Sequence, residues 1–347
     1  MRARACGEWC LVLLAGLVGV GWGEAQQTAA PVTTLHVYAS QIEVAVLVLS
    51  GSKERLPPIE AKDFSLRFDQ GPGFRPNHVR REGEDPIVLG LLVVGNGGEG
   101  ELLAAVSAAT ASLAPESLHA QDRVVVYGWG CRLNRTLAPV PVETESLRSA
   151  VEGAVPKQAA AKSGGCKDPV QLWDAMAVAV HDLSRYGGRR VLLAVTNGDD
   201  HGSATGWAKL RVFAEDQSVA IFAMTGPDVQ LPGAVVGEED LSMLCEGSGG
   251  LVMRSSGRRM GIAMGRLVSM LRESYIVSFP RPHGLPAGHI DLDISVHRVG
   301  AFVRPTGTSV PLEDAGVAGA ADTIASDPSK EPVVGRRRAV KPPVPPQ

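Results

Sequence analysis

The chain has almost no excess of either charge: 34 Lys and Arg stand against 37 Asp and Glu, a net charge of -3. A protein that neutralises phosphates needs a basic footprint, so nucleic-acid binding is set aside. A membrane span is also missing. The apolar run Leu11–Val20 is about half of the ~20 residues a transmembrane helix requires, and no later run reaches that length. No Ser-His-Asp, Cys-His or paired-carboxylate arrangement is identifiable, which argues against an enzyme without closing the question. Cysteine is scarce, at five in 347 residues. Apolar residues are not: 44% hydrophobic against 20% charged supports a buried core, despite 40 Gly and 24 Pro. The length allows two domains and excludes a single small motif protein.

Arg2 and Arg4 precede the run Leu11–Val20, and Gly23, Glu24 and Ala25 follow it as a small-x-small site before Gln26. Residues 1–25 therefore read as a secretory signal peptide, and the mature chain is expected to be secreted or periplasmic. Cys10 lies ahead of the apolar run rather than just after it, which rules out a lipoprotein. Once Cys6 and Cys10 leave with the signal, Cys131, Cys166 and Cys245 remain where a disulfide can persist. Three is odd, so at most one internal pair forms.

Residues 33–85 have β texture. Leu35 to Leu49 predicts one strand, ended by Ser50-Gly51, and Phe64, Leu66 and Phe68 alternate with polar residues in another. From 86 to 273 unbroken apolar runs alternate with amphipathic stretches. Strands are predicted at 87–94, 123–127, 191–195, 219–224 and 251–253. Helices are predicted around Leu102, Val106, Ala109 and Leu113, then at 170–183, 209–216 and 239–245, and finally around Met260, Met264, Leu267 and Leu271. This order indicates an α/β fold with a doubly wound, mainly parallel sheet covered on both faces. The Met stripe is core packing. Between 274 and 306 the β texture returns in Tyr275–Phe279 and in alternating Ile290, Leu292, Ile294 and Val296. A half-polar strand must pack its other face, so the two ends of the chain are expected to form one small β-module. Residues 307–347, rich in Ala, Gly and Pro with Arg336, Arg337, Arg338 and Lys341, are expected to be a disordered tail.

In such a sheet, ligands bind outside the carboxyl ends of the strands at the topological switch point. The loops there are 95–100, 164–170 and 197–203. The first, Gly95-Asn96-Gly97-Gly98-Glu99-Gly100, matches a dinucleotide fingerprint, which leaves a cofactor-binding enzyme as one alternative. The following strand ends in Gly128-Trp129-Gly130 with no ribose-binding acid, so a Gly-rich turn needing positive φ accounts for the loop more simply.

The succession of segments resembles the secreted von Willebrand factor type A related proteins of the acidobacterial type. The resemblance runs through Asp63-Phe64, VLGLLVVGNGG at 88–98, DRVVVYGWG at 122–130, GGCKDPVQLWDA at 164–175, TNGDDHGS at 196–203, LSMLCEGSGG at 241–250 and YIVSF at 275–279. It covers about residues 33–306. It implies a metal ion-dependent adhesion site, in which hydroxyls and carboxylates hold a divalent cation that a partner's acid completes. A hard cation such as Mg2+ wants about six oxygens, some of them anionic. Here the family's ligand positions are Val94, Asn96, Gly98, Val170 and Asn197, which supply two valines, a glycine and neutral amides. The metal site is therefore expected to be degenerate, with neither metal nor cofactor bound.

Six residues remain as a candidate interaction rim: Glu99, Asp168, Asp174, Asp199, Asp200 and His201. Asp174 and Asp200 correspond to the family's helix Asp and to the second acid of its T-D-G-x-D motif. Helix N-terminal charge and loop solvation account for these acids more simply than a rebuilt metal site does. Cys131 and Cys166 fall in loops on the same rim, so a disulfide is expected between them. Its loop of about 35 residues would contribute roughly 4 kcal/mol by the chain-entropy account. Cys245, beside Leu241 and Leu244, is assigned to the core. The expected function is an exported, non-enzymatic protein-binding or scaffold protein with an unknown protein partner. The alternatives are a metal-dependent adhesion protein with replacement ligands and the cofactor-binding enzyme.

Overall fold

The computed structural model describes residues 41–51, 56–94, 100–129, 132–155, 171–226, 238–282, 291–307 and 332–334. Residues 1–25, expected to be a signal peptide, lie outside them, as do Cys131, Cys166, Asn96, Gly98, Glu99, Asp168 and Val170.

In chain order, strands β1 (Gln41–Ser50), β2 (Phe64–Phe68) and β3 (His78–Arg81) precede β4 (Ile87–Val94), helix α1 (Gly100–Ala111) and β5 (Arg123–Trp129). Then come β6 (Leu133–Arg135), α2 (Thr144–Ala154), α3 (Leu172–Leu183), β7 (Arg189–Val195), α4 (Trp207–Asp216) and β8 (Val219–Thr225). The remainder is α5 (Glu238–Gly247), β9 (Val252–Arg254), α6 (Met260–Arg272), β10 (Tyr275–Pro280), β11 (Leu292–Val296) and β12 (Ala301–Thr306). Among the described helices, none is long and apolar enough to cross a membrane.

The central sheet has the order β6-β5-β4-β7-β8-β9, parallel except for the antiparallel edge strand β6. Every residue of β4 is buried, and strand parity divides them. Leu89, Leu91 and Val93 enter a core under α1, α2 and α6, while Val88, Leu92 and Val94 enter a second core under α3, α4 and α5. A helix layer on each face is what makes the strand apolar at every position. Gly90 interrupts the second set, and Leu183 of α3 fills the gap: a Cβ at position 90 would stand 2.7 Å from its Cδ1. The Met stripe packs as expected, with Met260, Met264, Leu267 and Leu271 all buried.

The two ends of the chain meet in a small sandwich. One layer is the antiparallel sheet β12-β1-β10-β3 and the other is the pair β11-β2. Ile42, Val44 and Val46 of β1 face inward with Tyr275, Val277 and Phe279 of β10 and with Phe64, Leu66 and Phe68 of β2. Phe64 meets Tyr275 edge-on at 5.9 Å, and Phe68 meets Phe279 edge-on at 5.6 Å. Leu47, on the opposite face of β1, joins the first core of the α/β layer.

Two chain crossings join the layers, at 81–87 and 272–275. Arg272 ties them by donating from Nη1 to the carbonyls of Asp85 (2.6 Å) and Gly83 (3.2 Å), and from Nη2 to the Asp122 carboxylate. Asp122 Oδ1 also accepts the N–H of Ile87 at 2.8 Å. Beside them Glu82 and Arg189 are both buried, with Arg189 Nε 3.5 Å from Glu82 Oε1. Neither Glu82 carboxylate oxygen has a hydrogen-bond partner among the described residues.

The sequence expectations omit β3, β6, α2 and β12, and they run α1 two residues too far. Leu113 lies in the turn beyond α1, although it is still buried. Of the segment 307–347, Gly307 and Pro332–Val334 are described, and Val334 is bridged to Phe68 and packed against the sandwich core.

Cys245 is fully buried among the second core, and burial pushes its thiol pKa well up. Thiolate is the reactive form, so alkylation of the native protein is expected to leave Cys245 unlabelled until denaturant is added. Non-reducing peptide mapping of the same sample also reads whether Cys131 and Cys166 are linked.

Candidate functional site

β4 connects toward β5 on one side, and β7 connects toward β8 on the other, so the winding reverses between β4 and β7. The crevice outside their carboxyl ends is where the fold offers a ligand site. Val94 ends β4 with its side chain buried in the second core, contributing methyl groups and no oxygen. Residues 196–206 follow β7.

That loop holds itself together first. Thr196 Oγ1 accepts the N–H of Gly198 at 3.1 Å, and Asn197 Oδ1 accepts the N–H of Asp199 at 3.3 Å. Asn197 Nδ2 donates to Asp199 Oδ2 at 2.5 Å, so a neutral amide sits against the Asp199 carboxylate. These are local side-chain turns of the kind Thr, Asn and Asp make. Gly198 at φ +88° and Gly202 at φ +93° supply the left-handed backbone between them.

The loop then caps a helix it does not belong to. The first N–H groups of a helix have no partner within it. In α3, the Trp173 N–H donates to Asp200 Oδ1 at 3.2 Å and the Asp174 N–H donates to Ser203 Oγ at 3.3 Å. The Ser203 hydroxyl donates in turn to Asp200 Oδ1. Asp174 returns the contact: its Oδ2 accepts the Ala204 N–H at 2.8 Å and its Oδ1 the Thr205 N–H at 2.9 Å. Partial burial alone would raise the Asp174 pKa. The hydrogen bonds from the Thr205 hydroxyl and from the two amides outweigh it, and hold the carboxyl below its usual range.

Asp174 in the first turn of α3 and Asp200 against its first N–H groups both stand as helix N-terminal charge, and each is bonded across the loop–helix boundary. Ser203, Ala204 and Thr205 went unnoticed as their partners. Of the candidate rim, Asp199 is held by Asn197 and His201 is exposed. Among the described residues no three His, Cys, Asp or Glu converge as metal ligands would.

Replacing Asp174 with Ala leaves two loop amides to water instead of their acceptor, which is expected to cost about 0.5–1.5 kcal/mol. A carboxyl whose folded pKa is depressed contributes stability above its unfolded pKa and loses it as pH falls through the folded value. Urea midpoints of wild type and Asp174→Ala should therefore differ at pH 7 and converge in strong acid. A constant gap would show that the contact is steric rather than ionic.

The fold and its edge define a doubly wound, mainly parallel α/β protein with a flanking β-sandwich. No protein-family model matches the sequence, and no curated protein does. Solved structures do match. The von Willebrand factor type A protein from Catenulispora acidiphila is 9% identical, with a TM-score of 0.43, over 78% of this chain and 74% of that one. The pilus adhesin SpaC from Lactobacillus rhamnosus GG is 10% identical, with a TM-score of 0.39, over 60% of this chain. The match spans about a third of the adhesin's own length, 34%. An aerotolerance-related membrane protein from Bacteroides fragilis is 14% identical, with a TM-score of 0.36, over 54% of this chain and 98% of that one. At these identities the likeness is one of fold.

Proposed function

We propose that the chain is an exported, non-enzymatic protein-binding scaffold of the von Willebrand factor type A kind, whose carboxyl-edge rim engages a partner without a metal ion. The observation that carries this reading is the use made of the nearby acids. Both oxygens of Asp174 and one of Asp200 are spent on backbone amides and a hydroxyl, and Val94, buried in the second core, offers no oxygen where the type A pattern has an acid. A divalent ion there would be desolvated with little to compensate it. Asp199 and His201 are left to meet a partner.

Mg2+, Mn2+ and Ca2+ at millimolar concentration are expected to leave the melting temperature where a non-specific salt control leaves it. A ligand that favours the native state must stabilise it by mass action. Asn197→Asp sharpens the test, since it replaces the amide donor with a second carboxylate against Asp199. It is expected to cost about 1–2 kcal/mol, and no cation should restore it. Saturable stabilisation of the unmodified protein by one divalent ion, abolished by Asp199→Ala, would overturn the metal-free reading. Asp199 suits this purpose better than Asp200, whose loss would uncap α3 whether or not a metal binds. Crosslinking and affinity capture from the envelope fraction, with and without chelator, would identify the partner.

A further inference from the structure

The main-chain nitrogen of the residue after an asparagine can attack the side-chain amide carbon, closing a succinimide ring and expelling ammonia, and a following glycine has no Cβ to obstruct it. The chain has two such pairs, Asn96-Gly97 and Asn197-Gly198, of which the second lies among the described residues. In the turn after β7 every reacting group is engaged. The Gly198 N–H, on the attacking nitrogen, donates to Thr196 Oγ1 at 3.1 Å, and both residues are buried, so it meets the hydroxyl rather than a base in solution. The Asn197 amide oxygen accepts the Asp199 N–H at 3.3 Å, and the leaving nitrogen, Nδ2, donates to Asp199 Oδ2 at 2.5 Å. Attack requires the Gly198 nitrogen to lose its proton and the amide to leave Asp199, so each bond opposes it. One residue on, Asp200 accepts the Trp173 N–H and the Ser203 hydroxyl, which pins the far end of the turn to α3.

We propose that Asn197 is a self-modification site held in check by the hydrogen bonds of its own turn. When the turn opens, the Gly198 nitrogen gives its proton to solvent and bonds to Asn197 Cγ. The Cγ–Nδ2 bond breaks, Nδ2 leaves as ammonia with a proton from water, and a second water opens the succinimide to aspartate or isoaspartate. Water is the one co-reactant. Opening and closing of a turn is far faster than amide chemistry, so the rate follows the open fraction. The product then disfavours closing. Aspartate at 197 sets a carboxylate against that of Asp199 where an amide donor stood, and isoaspartate lengthens the main chain between Thr196 and Gly198, which the turn joins by a hydrogen bond. The change is a one-way record of turn opening, and it adds a negative charge to the rim whatever the rim binds.

The test is timed peptide mapping by mass spectrometry in mildly alkaline buffer, which reads residue 197 separately from residue 96. Wild type, Thr196→Val and Asp199→Ala are followed as folded full-length chains, with folding checked by circular dichroism, and wild type is followed also in denaturing urea. Folded wild type is expected to convert Asn197 about tenfold or more slowly than the denatured chain. Thr196→Val releases the attacking nitrogen and Asp199→Ala the leaving amide, so each should move the folded rate severalfold toward the denatured one. Asp199→Ala carries the test if Thr196→Val does not fold. The proposal is overturned if folded wild type converts as fast as the denatured chain, if the denatured chain does not convert, or if a folded variant converts no faster than wild type.

Discussion

Replacing Gly250 with Ala is expected to destabilise the protein by about 3 kcal/mol or more, and with Val to prevent folding. Gly250 leads from α5 into β9, with its backbone against the middle of β8. A Cβ built there would lie 2.0 Å from the Ile221 carbonyl oxygen and 2.7 Å from its carbon. No rotamer relieves this, because the obstacle is backbone, in a strand fixed on both sides by β7 and β9. Gly153 supplies the control of opposite sign. It lies within α2 with nothing within 4 Å of its missing Cβ, so Gly153→Ala should gain up to about 1 kcal/mol from helix propensity. Urea denaturation of the two variants separates steric exclusion from any general intolerance of change at glycine.

Arg189→Leu is expected to cost about 3–5 kcal/mol, because it leaves the Glu82 carboxylate buried without its counter-charge. The double variant Glu82→Leu/Arg189→Leu should recover most of that loss, since a buried pair contributes less than the penalty for breaking it. The pH dependence has a definite sign. Burial raises the Glu82 pKa, and the Arg189 charge is the largest influence holding it down, with Arg272 and Arg80 also lowering it and Asp85 raising it. A carboxyl with a raised folded pKa costs stability while ionised, and that cost is relieved as pH falls toward its unfolded value. The deficit of Arg189→Leu should thus be largest in alkaline solution and shrink as the pH is lowered. A double variant as unstable as the single would sink the account.

The central sheet was legible because burial on both faces leaves a strand such as β4 apolar at every position, which no surface segment imitates. β3, His78–Arg81, and β6, Leu133–Arg135, were not legible. They are short, charged edge strands whose pairing is set by the strands beside them rather than by their own pattern. α2 was available and passed over. Leu147, Val151 and Ala154 are spaced four and three residues apart on one buried face, which is an ordinary helical signal. At the carboxyl edge, the residue types were readable but their partners were not. The bond from Trp173 to Asp200 crosses 27 residues and exists only because the winding reverses between β4 and β7. The same holds for Glu82 and Arg189, ordinary surface-type residues until two chain crossings enclose them.

The sandwich assembled from both chain ends also sets a clock. Val44 of β1 pairs with Val277 of β10, 233 positions later. At roughly 5–20 residues per second of synthesis, β1 waits on the order of 10–50 s for its neighbour to emerge. Throughout that interval its Ile42, Val44 and Val46 have no sandwich to enter. The nascent chain thus carries a sticky strand from early in its synthesis, and its productive yield depends on whatever shields that strand until the last part of the fold has been made.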